Sequence, residues 1–214
     1  MQEIEKEYFR QRAGLLIEAL KKKKFEAVFF ETAEEAKNFI LQQIQPGESV
    51  GIGGSITLRE NLHIVQEIRK RGNPVYDHWE GQNEQQRIEL KRSHRGVDVF
   101  LSSTNALAAD GTMINLDGGG NRVASLCSGP KRVMVVAGAN KLVESLEEGI
   151  KRTRNRAAVL RVLKSHFITP CDATAVCSDC SSPQRICSAL LILMQKPADI
   201  VQFTVILVND DMGY

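Results

Sequence analysis

"SVGIGGSITLRE" (residues 49–60) is the stretch whose reading decides the fold. Its first half reads as a short buried strand and its second half opens a helix. Gly51, Gly53 and Gly54 let the backbone turn sharply between the two and approach a ligand closely. Thr57 followed by Glu60 has the spacing of a capping box, which predicts a helix from Thr57 through TLRENLHIVQEIRKRG to a stop at Gly72. The free N–H groups of its first turn, with the Ser55 hydroxyl, suit a phosphate or a carboxylate. A dinucleotide fingerprint would need glycine where Ile56 stands, and a phosphate loop would need lysine after its last glycine. The stretch therefore disfavours a Rossmann cofactor and a nucleoside triphosphate. It also fits a tight strand–helix turn with no ligand.

Outward from this turn, strand and helix alternate. Upstream, Ile4, Tyr8, Leu15 and Ala19, with Leu16 and Leu20 alongside, repeat at helical spacing. "FEAVFFET" reads as a strand and "AEEAKNFILQQI" as a helix. Downstream, "PVYDH" is a strand, "QNEQQRIELKRSHRG" a polar exposed helix and "VDVFLSS" a strand. Alternation of this kind predicts an α/β fold: a mostly parallel sheet with helices on both faces. "KRVMVVAGA" adds another buried strand. A long helix follows, with Val143, Leu146, Ile150, Ala157 and Leu160 on one face and Lys151, Arg152, Arg154 and Arg156 on the other. "CSALLILMQKP" and "VQFTVILVND" read as two further strands, expected to be antiparallel neighbours forming a C-terminal pair. No internal repeat or long linker is visible, so residues 1–214 read as a single domain.

The 214 residues are 43% hydrophobic, enough for a substantial core, and the net charge is +2. Neither a basic aromatic groove nor a strong charge excess points to nucleic acid. "MQEIEKEYFR" lacks the apolar centre of a signal peptide, and the longest apolar runs are too short to span a bilayer. The expectation is a cytoplasmic protein without membrane or nucleic-acid partners. Lys21–Lys24 suits the solvated end of a helix.

In "SSTNALAADGTMINLDGGGNRVASL" the Asp110-Gly111 pair predicts a hairpin turn. Strand alternation sets Met113, Asn115 and Asp117 on one side and Ile114 and Leu116 on the other. Asn105, Asp110, Thr112, Asn115, Asp117 and Asn121 stand among small residues. Gly118, Gly119 and Gly120 leave backbone open, Asn121 suits an N-cap, and Arg122 in the first helical turn could clamp an anion. Asn and Asp also serve turns without any ligand.

Four of the five cysteines lie in "CDATAVCSDCSSPQRIC". Cys171, Cys177, Cys180 and Cys187 have the spacing C-x5-C-x2-C-x6-C. Four thiolates can hold an iron–sulfur cluster, or zinc as second choice. Zinc ribbons usually pair two C-x-x-C units, and the ferredoxin run C-x2-C-x2-C is missing. A redox dithiol at Cys177 and Cys180, or unligated thiols, remain alternatives. Cys127 reads as a small buried residue. The four histidines fall in no ligand spacing.

"GIGGSIT", "NALAADGTMINLDGGGNRVASLCSGPKRVMVVAGANK" and "RTRNRAA" resemble the lactate-utilization-protein (LUD) domain family. The cysteine loop and "TVILVNDDMGY" resemble its small stand-alone subgroup. The resemblance implies a Rossmann-like sheet of the sugar-isomerase and CoA-transferase type, with a ligand cleft between the two glycine-rich loops. It maps Gly53, Gly54, Ser55 and Thr57 to the first loop. Asp110, Gly111, Thr112, Asp117, Gly118, Asn121 and Arg122 match the second, and Asn105 and Gly119 join these as candidate ligand-binding residues. Asp110 and Asp117 are the candidate catalytic carboxylates, because each sits in a glycine-rich, anion-facing loop. The implied role is binding a small anionic metabolite in lactate or related organic-acid utilization. An iron–sulfur cluster and an iron–sulfur oxidoreductase partner are part of that expectation. A metal-free transferase or isomerase acting on a CoA thioester or sugar phosphate is the alternative. A non-catalytic module of an oxidoreductase complex is a third reading.

Overall fold

In a computed structural model describing residues 1–214, helix α1 (Glu3–Lys22) opens the chain and carries Lys21 and Lys22 in its last turn. Its buried stripe is Phe9, Ala13, Leu16 and Leu20, while Ile4, Tyr8 and Leu15 are exposed. The buried face thus lies one residue further round than the expected one. The stripe that contains Phe9 offers more volume to Phe25 and Phe203, which pack edge to face beneath it. Strand β1 (Glu26–Phe30) leads to α2 (Ala33–Gln43), whose Thr32 and Glu35 form a reciprocal capping box. Strand β2 (Val50–Ile52) follows.

After β2 the expected single helix is interrupted. Residues Thr57–Asn61 form a wide π turn, closed by the Leu62 N–H on the Thr57 carbonyl. His63 then takes a left-handed conformation (φ 49°) before α3 (Ile64–Lys70). The break lets Leu58, Leu62 and Ile64 all point into the core. The chain continues through β3 (Val75–Asp77), the largely exposed α4 (Glu84–Ser93) and β4 (Val99–Ser103). The hairpin β5 (Ala106–Ala108) and β6 (Met113–Asp117) comes next, followed by α5 (Asn121–Cys127) and β7 (Arg132–Gly138).

The long basic helix is also interrupted. Leu142–Val143 is strand β8, and α6 (Leu146–Arg152) passes through a π turn at Thr153–Ala157 into α7 (Ala158–Ser165). The extra residue rotates the buried face, which becomes Gly149, Thr153, Ala157, Val159 and Val162. A single helical turn, α8 (Pro170–Thr174), precedes β9 (Ala189–Leu193) and β10 (Gln202–Val208).

Six strands form an all-parallel sheet in the order β1-β10-β7-β4-β2-β3. Four more form a small mixed sheet, β8-β5-β6-β9. The last two strands are therefore not neighbours. β9 pairs antiparallel with β6, whereas β10 inserts between β1 and β7. β10 is apolar at nearly every position, as a central parallel strand must be, and belongs in the doubly covered sheet. Phe203, Val205 and Leu207 face α1, while Ile206 and Val208 face α2 and α3. No helix is long and apolar enough to cross a membrane.

Strand β2 lies between β4 and β3, so the chain steps outward from β2 to β3 and then back across to β4. A reversal of this kind opens a crevice at the carboxyl ends of the strands, the usual ligand position in open α/β sheets.

Candidate functional site: a cationic cleft between two glycine-rich loops

At that crevice lies a cleft of about 300 Å³. Gly54–Thr57 form one wall, and Asn105, Leu116–Gly119, Asn121 and Arg122 form the opposite one. The two glycine-rich loops thus border a single cleft.

The first loop is fixed to β4. The Gly53 N–H donates to the Leu101 carbonyl at 2.8 Å, and a Cβ on Gly53 would stand 2.9 Å from the Ser102 hydroxyl. Only glycine fits so close an approach. Ser55 Oγ accepts from the Leu58 N–H and donates to Ser103 Oγ at 3.0 Å. Ser55, rather than Thr57, thus caps the turn; Thr57 is buried inside it. The N–H groups of Gly54 and Ser55 donate to nothing within the chain.

The second loop spends its polar groups differently. The Asp117 carboxylate accepts from the N–H groups of Gly119, Arg122 and Val123, at 3.1, 2.8 and 3.3 Å. It caps α5, the role expected of Asn121, which is the first helical residue instead. The buried Arg122 guanidinium donates to the Ser103 and Leu116 carbonyls and to the side chains of Asn105 and Asn115. It braces β4 against β6 instead of clamping an anion, and its burial lowers its pKa.

The remaining expected residues are elsewhere. Asp110, Gly111 and Thr112 turn the hairpin away from the cleft and against α1, where a Cβ on Gly111 would meet the Ala19 backbone at 3.1 Å. Burial would raise the Asp110 carboxyl. Hydrogen bonds from Thr112 and the nearby Lys23 ammonium outweigh that and hold it below the usual carboxylate range. Asp110 is a turn anchor, so the paired-carboxylate expectation is not met: one carboxylate lies outside the cleft and the other is a cap.

Most of the positive charge in the cleft comes from residues outside both loops. Lys141, in the turn after β7, is only 3% exposed, lines the cleft and has no ion pair or hydrogen bond. Burial and the neighbouring Arg152, Arg122 and Arg156 push its pKa down to about 7, against a smaller opposing pull from Asp211. Arg161 reaches in from α7 and stacks over Trp79 at 5.0 Å and Phe167 at 5.8 Å. Arg59, paired with Asp77, stacks over Trp79 as well, at 4.2 Å. His78 lines the same wall and packs against His94. Burial pushes both imidazoles down to about 4, so both are neutral at pH 7. Lys91, Arg122, Lys141 and Arg161 thus face a single lining Asp or Glu, the already engaged Asp117. Lys141 stands at the carboxyl end of a buried strand, a position that could have singled it out from sequence.

Cys171, Cys177, Cys180 and Cys187 all line one small cavity of about 20 Å³ against α7. The donors suit a soft metal. No three of them, and no other set of His, Cys, Asp or Glu side chains, are gathered as a group that could hold a metal ion. Arg185 organises the segment instead, donating to the Cys180 and Cys187 carbonyls and pairing with Asp179. Ile186 touches both this cavity and the cleft, and a Cβ on Gly118 would stand 3.0 Å from its Cα. Cys127 is half-buried against the core, and burial raises its thiol pKa.

Comparison with solved structures aligns 93% of the chain with 97% of a DUF162 family protein from Deinococcus radiodurans, at 12% identity and a TM-score of 0.55. A ribose 5-phosphate isomerase from Plasmodium falciparum matches over 51% of each chain, at 16% identity and a TM-score of 0.37, too distant to support any argument. No curated protein sequence matches. The sequence model of the LUD domain covers residues 14–208, nearly the whole fold just described. The chain belongs to the LUD domain family, and so, in general terms, to the proteins of lactate utilization.

Proposed function

We propose that the cleft binds a small organic acid anion and that the chain serves the oxidation of lactate or a related acid in the cytoplasm. One observation carries this reading: the cleft gathers Lys91, Lys141 and Arg161, with the braced Arg122 behind them, against one Asp or Glu side chain that already serves as a helix cap. Free Gly54 and Ser55 N–H groups beside them supply directional donors for a carboxylate. The cleft's volume is at the low end for small-molecule sites, which suits a compact acid.

Thermal-shift titration with lactate, pyruvate, sugar phosphates and CoA thioesters tests it. Stabilisation by the small acids supports the reading. Stabilisation by CoA thioesters or sugar phosphates alone replaces it with the transferase or isomerase reading.

The cysteine segment extends the proposal. The four thiols are candidate ligands for an iron–sulfur cluster, or for zinc, although they would have to draw together to ligate one. A cluster would supply one-electron chemistry, with an iron–sulfur oxidoreductase subunit as partner. Metal analysis and an ultraviolet–visible spectrum of anaerobically prepared protein test this part. A metal-free, colourless protein sinks it.

A further inference from the structure

The cleft holds one group whose chemistry exceeds anion binding. Lys141 is a buried amine with no carboxylate partner, aimed into a ligand-sized space. Its Nζ lies 3.6 Å from where a Cβ on Gly213 would stand, and the Thr57 hydroxyl is 2.7 Å from that same point. The amine therefore lies near the Thr57 hydroxyl of the first glycine-rich loop, and it lines the same cleft as Gly54 and Ser55. The charges that act on it most strongly are positive, Arg152, Arg122 and Arg156, with Asp211 opposing them. A lysine kept for permanent charge pairing would have a carboxylate beside it. A lysine desolvated among other cations is instead biased toward the neutral, nucleophilic amine.

We propose that Lys141 forms an imine with the carbonyl carbon of a 2-oxo acid seated in this cleft. The inference rests on the reading of the cleft as an organic-acid site and narrows the substrate class. The substrate carboxylate takes the Gly54 and Ser55 N–H donors and the Arg161 guanidinium, which leaves the adjacent carbonyl facing the amine. The Nζ lone pair attacks that carbon; a C–N bond forms and the C=O π electrons move to oxygen. Nitrogen loses both of its protons, the oxygen takes up two and leaves as water, and a C=N bond remains. Amine and ketone give imine and water, with no change of oxidation state and no further reactant. A 2-hydroxy acid has no such carbonyl. It would bind without forming the bond.

The test incubates the full chain with pyruvate and borohydride, followed by intact-mass measurement and peptide mapping. One reduced adduct per chain on the Lys141 peptide is expected, with none from lactate. The adduct should be lost in Lys141→Arg, whose folding is checked by its melting temperature and circular dichroism. Its yield should rise as pH passes through about 7, well below the range of a surface lysine. If pyruvate raises the melting temperature but no adduct forms, the imine is overturned and the organic-acid cleft stands. If pyruvate neither stabilises nor labels the protein, both fall. Equal labelling of wild type and Lys141→Arg also overturns the imine.

Discussion

Replacing Arg122 with methionine distinguishes a strut from a ligand clamp. The guanidinium donates to the Leu116 carbonyl at 2.6 Å, the Asn105 amide oxygen at 2.6 Å and the Ser103 carbonyl at 2.9 Å. Arg122→Met keeps most of the side-chain length and removes every donor. Asn105 retains the Leu116 N–H and Ser103 retains a hydroxyl donor, so the Leu116 carbonyl loses most. An unsatisfied buried acceptor costs about 1–3 kcal/mol, and breaking a buried charged network costs about 3–5 kcal/mol. Relief from burying a charge offsets part of this, so the expected loss is about 3 kcal/mol. For a domain of this size that is a fall of about 6–12 °C in melting temperature. Urea unfolding and thermal melts measure it. Arg161→Met is the contrast: it should cost little stability and abolish ligand-induced stabilisation. The reasoning is refuted if Arg122→Met melts within about 1 kcal/mol of wild type yet no longer responds to ligand.

Three further outcomes are expected. His78 and His94 have folded pKa values near 4, below the ordinary value of 6.5, so the unfolded chain takes up protons first and stability is lost as pH falls from 6.5 toward 4. Each imidazole accounts for at most about 2 kcal/mol between pH 6.5 and 5, with solvent access reducing the share of His78; His94→Phe should flatten the slope of urea unfolding against pH. Gly118→Ala should cost about 1 kcal/mol by pushing on Ile186, and should speed proteolysis within residues 171–187; unchanged cleavage would show that the contact is not a constraint. Asp110→Ala should leave ligand-induced stabilisation intact, whereas Asp117→Ala should cost about 0.5–2 kcal/mol through the lost α5 cap and weaken binding, both read by thermal shift.

The sequence showed the sheet more clearly than the site. β4, β7 and β10 are legible because strands buried on both faces read as continuous apolar runs. The face of α1 was ambiguous because Tyr8 and Phe9, and Leu15 and Leu16, offer two adjacent stripes, and only packing against Phe203 selects one. The pairing of β9 and β10 was illegible because closeness in sequence suggests partners that the two sheets separate. In the cleft, both glycine-rich loops were visible from glycine spacing alone. Asp110 and Asp117 looked equivalent because each precedes glycine, yet one hairpin carries them to opposite ends of β6. Lys141 carries no motif among 28 lysines and arginines; its place just after a buried strand is the one sequence signal, and burial without a partner completes the distinction.

The place of β10 has a consequence for biosynthesis. The strand that a ribosome delivers after the other nine of this fold occupies an interior slot, hydrogen-bonded to β1 on one side and β7 on the other. Until it emerges, those two partners expose unpaired edges and the halves of the large sheet have no seam. A nascent chain halted before Gln202 should therefore remain open to chaperones and prone to aggregation, and folding should complete only when this last segment zips into the gap.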